Sequence, residues 1–400
     1  MAGFSFSART GLIWLAGLLA AAFSAMAASG SIASARAPLA VVDMVPESGR
    51  VYAEAADAIL KQTIKDNQGA LPDQIPQASI DYSRRAFALE PLAVQAPRII
   101  ALSRQAEGND DEARRIMRLL PAISKREAAA NIWLSQDYAQ LGDDATAFTY
   151  FDMTLRVSES SAPLLIPPLV KGLEQEQLRA PLIKLLEARP AWQDDFWLEA
   201  VRRPEVALPA MRLRMELGKQ QGRALEVDRG LIGNLVAENK FADALSYYRF
   251  LTGKQGARDL SFPFERAPTF PPLDWDLVTD GDFSSSIEPA AGKMMISAAP
   301  ATGGVAARRL VALEQGAYRT SVLFTATNPG DVTISLNLRC AENDGEAIRS
   351  APFAAASEAA QVLRLPAGCR YYLLEIAYRN DAPIDGVDIA IDSITLRKES

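Results

Sequence analysis

The chain contains no histidine in 400 residues, and that absence sets which chemistry is open to it. Imidazole general-base catalysis, Ser-His-Asp or Cys-His nucleophile activation, and imidazole-ligated zinc or iron all need that ring and are excluded. Paired carboxylates of the glycosidase type stay open, as does chemistry run by Lys, Tyr or a calcium ion. The most suggestive acid pair is Asp194 and Asp195, beside Trp197. Adjacent residues on a helix point about 100° apart, so this pair reads as a solvated helix start rather than two carboxylates facing one bond. The expected class is therefore a non-catalytic protein. The alternatives are a structural protein of the envelope or, less favoured, a histidine-free glycan-active enzyme.

Stepping outward from these residues, the amino terminus addresses the chain. Residues 1–10 carry one positive charge, Arg9, and no acid, and an apolar run, GLIWLAGLLAAAFSAMA, follows. This is the pattern of a secretory signal, with Ala25, Met26 and Ala27 as a small-x-small cleavage site. At 17 residues the run also reaches the lower edge of a membrane-spanning helix, so residues 1–27 read as a cleaved signal peptide or a retained membrane anchor. Either reading puts the rest of the chain outside the cytoplasm, in the periplasm or cell envelope. Residues 28–47, rich in Ala, Ser and Pro, read as a flexible lead-in. The composition, 49% hydrophobic and 23% charged with a net charge of −7, suits two or three globular units. No clustered Lys and Arg points to a nucleic-acid partner. In an exported protein the two cysteines, Cys340 and Cys369, favour a disulfide over a metal site.

The first half of the chain repeats. GNDDEARRIMRLL and GDDATAFTYFDMTL lie 34 residues apart, with Gly108 over Gly142, Ala113 over Ala147 and Met117 over Phe151. Period and pattern resemble the tetratricopeptide repeat, in which a glycine ends helix A and an alanine lets helix B approach closely. NKFADALSYYRFL, with Ala244 and Tyr248, is a third match, but Ala147 to Ala244 is 97 residues and out of phase. Between them Pro163, Pro167 and Pro168 predict that helices begin or break there, which leaves irregular hairpins. The expected fold for residues 48–257 is a tetratricopeptide-like α-solenoid with a concave groove. The resemblance implies that Arg98, Gln105, Gln136 and Gln140 face that groove and a protein partner. The plain alternative is a solvated polar face.

Residues 258–272 carry the prolines of a domain junction. Short alternating runs follow, and in VTISLNL Val332, Ile334, Leu336 and Leu338 share one face, with Thr333, Ser335 and Asn337 on the other. Residues 273–400 thus predict an antiparallel β-sandwich, making the whole a multidomain α and β chain. LVTDGDFSS, LEQGAYRTSVLFTA and VDIAIDSITL, in that order, resemble elements of the galactose-binding-like jelly roll found in many carbohydrate-binding modules. The resemblance implies a structural calcium ion near Asp282 and Asp392, although Ser284 stands where a Glu ligand is common. The alternative reads Asp392 as a hydrogen-bonding residue at a strand end. Trp275, Tyr371, Tyr372 and Tyr378 are the candidate rings for stacking on sugars, or else sheet packing; adjacent Tyr371 and Tyr372 must face opposite sides, so only one can be core. The arrangement is similar to exported bacterial tetratricopeptide proteins associated with exopolysaccharide production. This implies a scaffold that grips a protein through its repeats and a polysaccharide through its jelly roll, with no catalytic cofactor.

Overall fold

The computed structural model describes residues 37–399 except 43, 45, 46, 219–223, 254–259, 263, 344 and 358. The amino-terminal apolar run and its Ala25–Ala27 cleavage pattern lie outside the described residues, and no described helix is long and apolar enough to cross a membrane. Among the described residues thirteen α-helices precede thirteen β-strands, which is the helical part followed by a β-sandwich that the periodicities predict. The described residues form two compact units, one of the residues up to Leu165 with Ala180–Trp192, the other of Ile166–Arg179 with those from Gln193 onward.

The first unit is built of helical hairpins. After the short α1 (Pro38–Val41) come α2 (Gly49–Asp66), α3 (Gln77–Leu89), α4 (Gln95–Ala106), α5 (Asp110–Ile123), α6 (Ala128–Gln140) and α7 (Asp144–Val157). The 34-residue period is visible in the backbone. Gly108 and Gly142 take left-handed φ values of 81° and 77° just past α4 and α6, a conformation that L side chains resist. Asn109 and Asp143 follow them and cap the next helices, accepting the N–H groups of Glu112 and Thr146. Ala113 and Ala147 are buried, the close approach that their size permits. Ile99, Met117, Leu120 and Leu134 fill the core between the hairpins.

The proline-rich interval meets expectation at Pro163, which stands in the first turn of a helix, and departs from it at the next two prolines. Helix α8 (Ala162–Lys171) runs through Pro167 and Pro168 instead of breaking at them. Each proline forfeits one N–H bond, but the helix is short and gives way at once to a 3-10 turn, Gly172–Glu174. Helix α9 (Glu176–Glu187) then carries Pro181 in the same way.

In the second unit α10 (Gln193–Val201), α11 (Ala207–Leu217), α12 (Ala224–Ala237) and α13 (Phe241–Thr252) precede the strands. Asn239 takes the left-handed position between α12 and α13, with φ 57°, and Ala244 is fully buried. With β1 (Leu260–Phe262), β3 (Thr279–Asp280), β7 (Gly316–Ala326), β10 (Phe353–Ala354) and β11 (Gln361–Leu365), the sandwich pairs a seven-stranded sheet, β11-β7-β13-β5-β4-β3 with β1 added on β13, with a six-stranded sheet, β10-β8-β12-β6-β2 with β9 added on β8. All of the pairs are antiparallel. The strands that matter below are β2 (Asp276–Leu277), β4 (Phe283–Glu288), β5 (Lys293–Ala298), β6 (Gly303–Ala312), β8 (Val332–Cys340), β9 (Ile348–Arg349), β12 (Tyr371–Asn380) and β13 (Val387–Lys398). Val332, Ile334, Leu336 and Leu338 all point into the core, where they meet Leu374 and Ile376 of β12 and Ile389 and Ile391 of β13.

Candidate functional site

Strand alternation turns Leu374, Ile376 and Tyr378 of β12 inward, so Glu375 between them faces out of the six-stranded sheet. Register then lines up its neighbours. Arg349 of β9 pairs with Asn337 of β8, Asn337 with Glu375, Glu375 with Arg308 of β6, and Arg308 with Asp276 of β2. The result is one polar row across five strands, about 19 Å long at the usual strand spacing. Arg339 stands beside it on β8, opposite Leu373.

At the centre of this row Glu375 is only 4% exposed, an unusual position for a carboxylate on an outward face. The Arg308 and Arg339 guanidinium groups approach it from the two flanking strands at 3.6 and 3.8 Å, beyond hydrogen-bond length. Their own side chains stay 44% and 56% exposed. Among the described residues Glu375 has no hydrogen-bond donor, and the buried Oδ1 of Asn337 has no partner. The row therefore combines acceptors with spare capacity and planar donors that are only partly used.

One end of the face is fixed covalently. Cys340, at the end of β8, is bonded to Cys369, just ahead of β12, as the cysteine usage predicts for an oxidising compartment. The Glu342 carboxylate accepts the N–H groups of Arg370 and Tyr371 alongside. Ligand atoms of Cys340, Glu342 and Cys369 lie within 4.8 Å of one another, but both sulfurs are in the disulfide, so no thiolate is offered to a metal.

The four aromatic candidates separate. Tyr372 and Tyr378 occupy inward positions of β12 and are buried, Tyr378 edge-on to Phe283 at 5.2 Å. Trp275 is buried against Phe262 and Phe264, with the Arg309 guanidinium 5.8 Å from its ring centre. These three rings are core and form no surface platform, because strand parity turns the two tyrosines inward and Phe262 and Phe264 cover Trp275. Tyr371 faces outward and stays half-buried against Phe241 of α13. Asp282 and Asp392 are likewise separated. Phe283 pairs with Ala298 and Ala298 with Val387, whereas Asp392 follows Ile391, opposite Met294 at the other end of β5. Five residues of strand, roughly 17 Å, hold the two carboxylates too far apart to share an ion, and Asp392 pairs with Lys293 at 3.0 Å.

In the helical unit Arg98 is buried and bonded to both Asp57 of α2 and Glu127 at the start of α6. It ties three helices together, and its charge is spent inside the fold rather than offered to a partner. Gln105 accepts the Trp133 indole N–H at 2.8 Å. Gln136 and Gln140 are exposed on α6, and Asp194 and Asp195 are exposed in the first turn of α10.

Two further polar clusters brace the second unit. Asp228 receives both the Arg214 Nε–H, at 2.7 Å, and the Tyr247 hydroxyl, and the Arg214 guanidinium lies 4.8 Å from the Trp197 ring centre. Burial, together with the Asp228 charge, pushes the Tyr247 hydroxyl well up from its ordinary value. Asp274 accepts the Tyr248 hydroxyl at 2.6 Å and the N–H groups of Thr269 and Phe270 at 3.1 and 3.0 Å. Burial acts to raise this carboxyl, but those donors and the nearby Arg309 outweigh it and hold the group below the usual carboxylate range. Burial lowers Arg309 itself.

Of the sheet row only Asn337 was placed by the sequence, on the face of β8 opposite its apolar residues, and none was singled out as a contact. The available signal was Glu375 inside LLEIAY, where alternation demands an outward side chain in an otherwise apolar strand.

No family model matches the chain, and no curated protein matches it. Among solved structures the chain is similar to accessory secretory protein 1,2 and 3 in Streptococcus pneumoniae, at 7% sequence identity and a TM-score of 0.22, over 30% of this chain and 87% of that one. A likeness of that size carries no functional argument.

Proposed function

We propose that this protein is a non-catalytic binding and scaffold protein that works outside the cytoplasm. The outer face of its six-stranded sheet takes a carbohydrate, and its helical hairpins hold a protein partner. The observation that carries this reading is Glu375, a nearly buried carboxylate at the centre of a five-strand polar row, flanked by Arg308 and Arg339 at ion-pair rather than hydrogen-bond distance, so that two half-exposed guanidinium groups keep donors to spare. Sugar oxygens accept from such exposed guanidinium donors, and the planar fork can bridge two of them. Tyr371, half-buried at the end of the same strand between Phe241 and Arg370, offers only its edge to such a chain. The disulfide favours an oxidising compartment. The 34-residue hairpins resemble tetratricopeptide units, whose stacking creates a groove for a protein, with Gln136 and Gln140 as its exposed contacts. Exopolysaccharide assembly or export is the context that the sequence resemblance implies.

The test is calorimetric titration of the full oxidised chain with neutral and acidic polysaccharides. Saturable binding is expected, weakened about tenfold by Arg308→Gln through loss of one hydrogen bond from its half-exposed guanidinium. Ser321→Ala, on the opposite sheet, should leave it unchanged. A folded chain that binds no glycan would support an envelope protein with a purely structural β-sandwich instead.

A further inference from the structure

We infer that the polysaccharide met by this sheet face is acidic, a polymer carrying carboxylates on successive sugars; this rests on the carbohydrate reading above. The face gathers three guanidinium groups, Arg349, Arg308 and Arg339, around a row whose acids are Glu375 and Asp276. The surplus is positive on a chain whose net charge is −7. Arg379, further along β12, is already matched by Asp381 at 2.6 Å.

Each guanidinium presents five donors in a planar fork. One carboxylate, approached at 3.6 and 3.8 Å, cannot occupy two such forks, and among the described residues Arg349 makes no ion pair. Glu375 acts here as a positioning residue, holding Arg308 and Arg339 on either side of itself without consuming their donors. That all three cations are arginine matters, since the planar fork matches a carboxylate in bidentate geometry where an ammonium would not.

Spacing selects a polymer over a small anion. Arg349 and Arg308 stand three strands apart, about 14 Å, and Arg339 is displaced by two residues along β8, about 7 Å. A single acetate-sized anion can meet one of these forks. A chain with repeated carboxylates meets them in succession, and each contact raises the effective concentration of the next.

The experiment titrates the full oxidised chain with polyuronates of gluco, galacto and manno configuration, each also in its carboxyl-reduced neutral form, and with dextran sulfate. At least one polyuronate should bind tenfold or more tightly than its reduced form. That advantage should shrink as salt rises, and Arg349→Gln, at a side chain with no ion pair among the described residues, should lower it several-fold without changing the thermal unfolding midpoint; Arg339→Gln should lower it by a similar factor. Equal binding of acid and reduced forms would overturn the acidic assignment and leave the carbohydrate reading standing. Failure of a folded chain to bind any acid or neutral form would remove both. Dextran sulfate binding as tightly as every polyuronate would replace carboxylate recognition with a general response to polyanions, and so overturn the inference.

Discussion

Replacing Asp274 by Asn removes a charge and turns one acceptor oxygen into a donor. In the native chain one carboxylate oxygen accepts the Tyr248 hydroxyl, and the other accepts the Thr269 and Phe270 N–H groups. An amide that keeps its oxygen toward Tyr248 turns its NH2 onto two N–H donors, and two hydrogen bonds are lost. Hydrogen bonds to charged groups are worth about 1.5 to 3 kcal/mol each, and the partly exposed carboxylate belongs at the lower end, so the expected cost at neutral pH is about 3 kcal/mol. The cost must also depend on pH. Because the folded carboxyl is held below its ordinary value, its stabilisation is complete above the unfolded value of about 3.9 and is lost as pH falls through the folded value. Urea denaturation of the wild-type chain and Asp274→Asn, followed by tryptophan fluorescence, measures the difference at neutral pH and at about pH 3. The gap should be wide at neutral pH and should narrow in acid. A gap of equal width at both pH values would refute the charge argument, and one under about 1 kcal/mol at neutral pH would refute the hydrogen-bond count.

Two further outcomes follow from covalent and ionic bracing. Cys340→Ser with Cys369→Ser should destabilise the β-sandwich by about 3.6 kcal/mol from the entropy of the released loop; reductant should impose the same loss on the wild-type chain and none on the variant, and a wild-type chain indifferent to reductant would contradict this. Asp228→Ala should cost about 3 to 5 kcal/mol by leaving the Arg214 guanidinium buried without its partner, whereas Arg214→Met combined with Asp228→Leu should cost less than Asp228→Ala alone. A double variant as unstable as the sum of the single changes would show that the two residues do not act as a pair.

Local signals were legible and long-range ones were not. The alternation of β8 is a property of one strand, and Gly108, Gly142, Ala113 and Ala147 repeat at one period, so sequence spacing reached both. The parity of β12 was also within reach, because an outward Glu375 obliges Tyr372 and Tyr378 to turn inward with Leu374 and Ile376. Arg98 was read as a groove residue because nothing beside it announces Asp57 and Glu127, which come from other helices. The sheet row was hidden for the same reason. Asp276, Arg308, Asn337, Arg349 and Glu375 come from five strands, and only register brings them side by side. The same register parts Asp282 from Asp392, which share a sheet but sit near opposite ends of β5.

The two compact units are interleaved along the chain. Ile166–Arg179 belongs to the second unit, and Ala180–Trp192 returns to the first. During synthesis from the amino end, the first unit cannot be completed until Trp192 has been made, while the segment before Ala180 waits for partners made later. No single cut separates the two units intact, since a break anywhere between residues 166 and 192 strands a piece of one with the other.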